Sequence, residues 1–128
     1  MMIDASAMVA ILLREPDSQA LASRVEATKA PFTSPLAVYE TVVALMREKR
    51  LSAADAEAIV RSFLAAASIR VVMISDSMAT TAAAAFDRFG KGRHPAALNL
   101  GDCFAYACAR AYRAPLLYKG QDFAKTDI

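Results

Sequence analysis

Asp4, Glu40, Asp102 and Asp122 stand where apolar runs give way to helix or loop, and acids so placed can share one site. Asp4 follows Met1-Met2-Ile3, and Glu40 lies about one and a half helical turns beyond Pro31-Phe32-Thr33-Ser34. Asp102 opens a helical stretch in Asn99-Leu100-Gly101-Asp102-Cys103-Phe104, and Asp122 comes just after Pro115-Leu116-Leu117-Tyr118. In an open parallel α/β sheet the carboxyl ends of the strands face one crevice, so acids far apart in sequence can meet there. Like charges repel, and such a cluster persists only with something cationic among them. A hard divalent ion such as Mg²⁺, which prefers oxygen ligands, answers that need.

The elements that must position these acids follow from local pattern. Met1 to Ile3 reads as a strand and Ala5 to Leu13 as a helix, stopped near Glu15-Pro16 because the residue before proline avoids helical angles. Asp17 caps a helix to about Thr28, and Phe32-Thr33 is the next strand. From Pro35, favourable in a first helical turn, a helix runs to about Arg50. Ser52 with Asp55 forms a capping box for another helix. Arg70 to Ile74 is a buried strand, and Ser75 or Asp76 caps a helix ending at the C-cap glycine Gly90. Lys91 to Leu98 is loop, Asn99 to about Tyr112 is helix, and Pro115 to Tyr118 is the last strand. Strands apolar on both faces that alternate with helices imply a three-layer α/β domain with a central parallel sheet flanked by helices. Strand order is open at this point. No repeats or linker-like stretches interrupt residues 1–128, which read as one domain able to bury roughly 65–70% of its unfolded surface.

Composition narrows the classes. The chain is 56% hydrophobic with a net charge of +2, which excludes disorder and gives no nucleic-acid signal by itself. Its basic residues cluster, however, at Arg47, Lys49 and Arg50 and at Lys91, Arg93 and His94, while Lys119 and Lys125 flank Asp122. Cations around an acidic metal pocket suit a phosphodiester. His94 reads as a surface histidine, with shaping its loop or contacting a substrate as the alternatives. Cys103 and Cys108 are five apart, a spacing that fits neither a metal pair nor a disulfide, so they read as reduced core residues. Nothing approaches a membrane span or a secretory leader, and the expectation is a soluble, cytoplasmic protein.

Each acid also has a plain structural reading. Asp4 suits an N-cap, Asp102 the third position of a capping box with Asn99, and Asp122 and Asp127 a solvated tail. Glu40 resists most, because its helical neighbours Leu36, Ala37, Val43 and Ala44 are all apolar and a bare buried charge is very costly.

Several segments together resemble a known family. Met2-Ile3-Asp4-Ala5-Ser6-Ala7, Val38-Tyr39-Glu40 and Phe89-Gly90-Lys91-Gly92-Arg93-His94-Pro95 are similar to stretches of the PIN-domain ribonucleases, the VapC toxins of type II toxin–antitoxin pairs. The run from Leu98 to Ala107 and the ending from Leu116 to Asp127, with its Lys119-Gly120-Gln121-Asp122-Phe123, carry the resemblance most specifically. It spans essentially the whole chain and implies a compact sheet with the acids at one end. It assigns Asp4 and Asp102 to direct Mg²⁺ binding, with Mn²⁺ a possible substitute, Glu40 to completing the site, and Asp122 to a fourth acid often bound through water. Ser6 is implied to orient the first aspartate or touch phosphate, with Asp127 and Lys119 supporting the acids or the substrate. The implied reaction is RNA hydrolysis leaving a 5′-phosphate and a 3′-hydroxyl. The implied partners are a VapB-type antitoxin, whose tail lays an arginine among the carboxylates, and a second copy of the chain docked through the helix from Pro35. Two other readings compete. A haloacid-dehalogenase-type phosphatase wants an acid two residues after its first aspartate, where this chain has Ser6. A non-catalytic binding module, a silent toxin copy, would use the acids to hold a basic partner without turnover.

Overall fold

A computed structural model describes all residues, 1–128. Its elements are β1 (Met2–Ile3), α1 (Ala5–Leu12), α2 (Ser18–Glu26), β2 (Phe32–Thr33), α3 (Pro35–Lys49), α4 (Ala53–Ala66), β3 (Arg70–Val71), α5 (Asp76–Phe89), α6 (Leu100–Ala111) and β4 (Leu116–Leu117), closed by a 3₁₀ turn at Phe123–Lys125. The four strands form one sheet in the order β3-β2-β1-β4, every pair parallel, flanked by six helices. This is the expected α/β architecture. Met2, Ile3 and Leu117 are fully buried, as strands covered on both faces require. Thr33 is also fully buried and satisfies its hydroxyl by donating 2.7 Å to the Ile3 carbonyl, which ties β2 to β1 beside the backbone ladder.

The topology creates the crevice. From β1 the chain moves outward to β2 and β3, then returns past β1 to add β4 on its other side. The direction of winding therefore reverses between β1 and β4, and the carboxyl ends of those two strands border the space that opens there. Asp4 is the first residue beyond β1, and its N–H donates 2.9 Å to the Leu117 carbonyl of β4.

Several element ends differ from the sequence reading. Arg70 to Ile74 shortens to two residues, because β3 is an edge strand paired only with β2 and the chain leaves the sheet at once, exposing Met73. Ser52 Oγ accepts from the Asp55 N–H at 3.1 Å without a return bond from Asp55, so that box is one-sided. Asp17 occupies the cap position of α2, yet its carboxylate makes no capping bond. Gly90 is extended (φ −69°, ψ 159°) and not left-handed. Its lack of a side chain is needed because a Cβ would overlap the Phe86 carbonyl and ring. The left-handed helix ends fall instead on Arg14, Arg50, Ser68 and Arg113, each followed by a residue whose N–H reaches five residues back, to Ala10, Met46, Leu64 and Ala109. Cys103 and Cys108 are buried and unpaired, as expected.

The two kinds of helix end predict opposite responses. Ser68→Gly removes the steric cost of a left-handed side chain and should raise stability by about 0.5–1 kcal/mol. Gly90→Ala forces a methyl against backbone and ring and should lower it by about 1–3 kcal/mol. Urea midpoints read both, and a stabilising Gly90→Ala would refute this account of the α5 end.

Candidate metal centre

Two of the acids owe their positions to helix starts. Asp4 caps α1, its Oδ2 accepting from the Ser6 N–H (3.0 Å) and the Ser6 hydroxyl (2.5 Å), and it is 4% exposed. Asp102 stands in the first turn of α6 in a reciprocal box: the Asn99 N–H donates to Asp102 Oδ2 (3.0 Å) and the Asp102 N–H to Asn99 Oδ1 (2.9 Å). The plain readings of Asp4 and Asp102 as capping residues therefore hold, and each spends one oxygen on its own helix.

Glu40 arrives from the body of α3, which Pro35 and the Ser34 cap start immediately after β2. Its carboxylate lies against Gly101, so close that a Cβ there would fall 2.6 Å from Glu40 Cδ. Gly101 is the residue the sequence reading passed over. Its signal was present, since glycine inside a helix costs roughly 1 kcal/mol against alanine and is retained for a reason.

The charges of neighbouring acids act on Glu40 and on Asp102. Burial first, then the charges of Asp4 and Asp102, push the Glu40 carboxyl up to about 7. Burial pushes Asp102 up to about 6, opposed by its bond from Asn99 and reinforced by the charges of Asp4 and Asp122. Asp4 is raised by burial against the hydrogen bonds from Ser6 and Ala5. The ion pairs of the structure all lie elsewhere, so no lysine or arginine relieves this repulsion.

The remaining candidates sit farther out. Asp122 is exposed at the start of the 3₁₀ turn and reaches the group only through its charge on Asp102. Asp127 accepts from the Tyr106 hydroxyl (2.9 Å) and pairs with Arg88 (3.3 Å) and Arg110 (3.1 Å), and it is not among the charges acting on the three acids. Its place is a clasp holding the chain end to α5 and α6. The Lys119 ammonium group is engaged by Glu15 (2.6 Å) and Asp17 (3.5 Å). His94 accepts from the Ala96 N–H at 3.0 Å and sets its ring edge-on to Phe89, and so shapes its loop.

The donor set consists entirely of carboxylate oxygens, which suits a hard divalent ion. The side chains do not yet converge on one point as three ligands. Asp4 and Asp102 are each turned toward a donor at their own helix start, and the charge among the acids has no internal partner. On charge and chemistry the group fits such a cation.

The comparisons agree with one another. The PIN domain family model matches residues 1–128. Ribonuclease VapC30 of Mycobacterium tuberculosis is 41% identical over 128 residues, covering 100% of this chain and 95% of that protein. Ribonuclease VapC of Mycolicibacterium smegmatis is 39% identical over 128 residues, with 100% and 97% covered. A VapC ribonuclease of Rhizobium meliloti is 40% identical over 138 residues, with 98% and 97% covered. Among solved structures, Mycobacterium tuberculosis VapC20, described as a sarcin-ricin-loop-cleaving toxin, superposes with a TM-score of 0.71 at 18% identity, covering 96% of this chain and 92% of that one, and is similar in fold.

Two predictions follow from the packing of the acids. In Gly101→Ala the added methyl must displace the Glu40 carboxylate. NMR titration should then find Glu40 falling from about 7 toward its ordinary 4.5, with the melting temperature unchanged or raised. An unmoved Glu40 titration would dismiss the contact. A carboxyl raised by folding binds its proton more tightly in the native state, so its contribution to stability falls as pH rises from the ordinary value to the folded one. For Glu40 that window runs from 4.5 to about 7, and for Asp102 from 3.8 to about 6. Without divalent ions, Glu40→Gln should therefore gain on the order of 1–2 kcal/mol at neutral pH, after discounting for solvent screening, and nothing near pH 4. Urea melts at both pH values check this, and an equal gain at both would contradict it.

Proposed function

Because the chain belongs to the PIN-domain family, we propose that it is a divalent-metal-dependent endoribonuclease and the toxin of a type II toxin–antitoxin pair. The observation that carries this reading is that Glu40 and Asp102, near the carboxyl end of the sheet, are raised in part by the charge of Asp4, with no ion pair of the protein's own to offset it. These three would hold Mg²⁺ or Mn²⁺, with Asp122 at the rim. A divalent ion bound there would lower the pKa of a coordinated water and offset the charge growing on the phosphate.

The chain's own residues divide the remaining work. Asp4 and Asp102 are each held through Oδ2 by donors at their own helix starts, and Oδ1 of each would be the atom offered to the ion. Without a cation the Glu40 carboxyl sits near neutrality, and a divalent ion among the acids would hold it ionised as a ligand. Water attacks phosphorus, the bond to the 3′-oxygen breaks, and that oxygen leaves as a hydroxyl, so the fragments carry 5′-phosphates. No histidine base is needed, which fits the engagement of His94 in its own loop.

The same negative charge suits a VapB-type antitoxin that lays an arginine among the acids, since guanidinium matches carboxylate geometry. Self-association as a homodimer would use α3, where Tyr39 stands 62% exposed beside Glu40. No helix is long and apolar enough to cross a membrane, which is compatible with work in the cytoplasm.

The deciding experiment incubates cellular RNA with the purified chain under Mg²⁺, Mn²⁺ or chelator, beside Asp4→Asn and Asp102→Asn. Asparagine caps a helix about as well as aspartate, so both variants should fold. The expected result is discrete, metal-dependent fragments with 5′-phosphate ends, reduced at least about 100-fold in both variants. Full cleavage by the variants would remove the assignment. Intact RNA from wild-type protein that binds metal would favour the binding module.

A further inference from the structure

The Lys119 side chain is turned away from the acids, while its backbone is turned toward them. The Lys119 N–H donates 3.0 Å to Ser6 Oγ, and the Ser6 hydroxyl donates to Asp4 Oδ2. A hydroxyl has one proton, and accepting from a peptide N–H leaves that proton free to point at the carboxylate. The rotor of Ser6 is thereby set by Lys119. The segment from Tyr118 to Gln121 has no helix or strand of its own, because β4 ends at Leu117. Its register over Ser6 needs another anchor.

That anchor lies at the far end of α1. Arg14 adopts a left-handed conformation (φ 53°), and the Glu15 N–H reaches back to the Ala10 carbonyl at 2.9 Å, turning the chain so that Glu15 and Asp17 meet the Lys119 ammonium group. Asp17 sits at the cap position of α2 but does not cap it. Its Oδ1 is buried with no hydrogen-bond partner, and Lys119 Nζ at 3.5 Å is the charge it faces. An acid that leaves its own helix unsatisfied to face a lysine is a clamp component.

We propose that Lys119 is a positioning residue that acts through its peptide N–H, and that Glu15 and Asp17 grip its side chain to hold that N–H on Ser6 and so fix Asp4. This rests on the reading of Asp4 as an acid of the catalytic site. It differs from a role for the Lys119 ammonium group on substrate, which the resemblance also allowed.

The experiment compares Glu15→Gln, Lys119→Met, Lys119→Arg and Ser6→Ala in the full chain, by amide hydrogen exchange at Lys119 and by RNA cleavage kinetics. The clamp predicts that Glu15→Gln and Lys119→Met each speed exchange of the Lys119 amide at least about tenfold without a matching fall in melting temperature. Both should lower kcat by about tenfold with KM unchanged, since a small misplacement of a reacting group is costly. Lys119→Arg should restore both readouts, and Ser6→Ala should make Glu15→Gln silent. A phosphate contact predicts the reverse: Lys119→Met raises KM, and Glu15→Gln, which frees the ammonium group, lowers it. That pattern, or an unchanged Lys119 amide in Glu15→Gln, overturns the clamp. The exchange readout needs no turnover, so loss of the nuclease reading and loss of the clamp are separate results.

Discussion

Repulsion among carboxylates held at one end of a parallel sheet is the constraint around which this protein is arranged. Asp4, Glu40 and Asp102 come from three separate segments, and each is raised toward neutrality by burial and, for Glu40 and Asp102, by the charges of its neighbours. A fold tolerates such a group only if its stability is secured elsewhere. Here 32 buried apolar residues form one continuous core, and the strands at its centre have no exposed face. The arrangement is stable as a fold and unsatisfied as a charge distribution, which is the usual physical condition of a binding or catalytic site.

The positions of the acids follow from rules that also serve local structure. A parallel strand must be followed by a crossover, a crossover helix must be capped, and aspartate is a good cap. Asp4 and Asp102 thus arise where any α/β protein needs short polar residues. The structural and functional readings of these residues are therefore compatible, since the cap bonds engage only Oδ2 of each. Glu40 differs: it enters from the middle of a helix and makes no side-chain hydrogen bond to the protein. Its place depends on the empty volume over Gly101.

Much of this was legible from residue types. The alternation of short apolar runs with helices points to the parallel α/β class; Asp4 and Asp102 stand near the ends of such runs, and Glu40 is marked by its apolar helical neighbours. What was not legible depended on contacts between distant segments. Four helices end in left-handed residues that are arginine or serine, so the glycine signal was absent where the geometry was present. Gly90 carried the signal without the geometry, because its requirement is the ring of Phe86. Asp127 and Lys119 looked like groups for the site, yet their charges are taken up by Arg88 and Arg110 and by Glu15 and Asp17. Sequence spacing identifies a charge but not which partner reaches it first.

The division between tethered and untethered acids has a consequence for how the site can work. Asp4 and Asp102 are each restrained at a helix start and can move little without breaking a cap. Glu40 has the longer side chain, no hydrogen bond, and a carboxyl poised near neutrality. Two acids held by cap bonds and one without a hydrogen bond leave any adjustment to a ligand to Glu40, without rebuilding the fold. An arginine supplied by a partner would meet the same carboxylate. Catalysis and inhibition would then compete for one unsatisfied charge, with the core of the protein untouched by either.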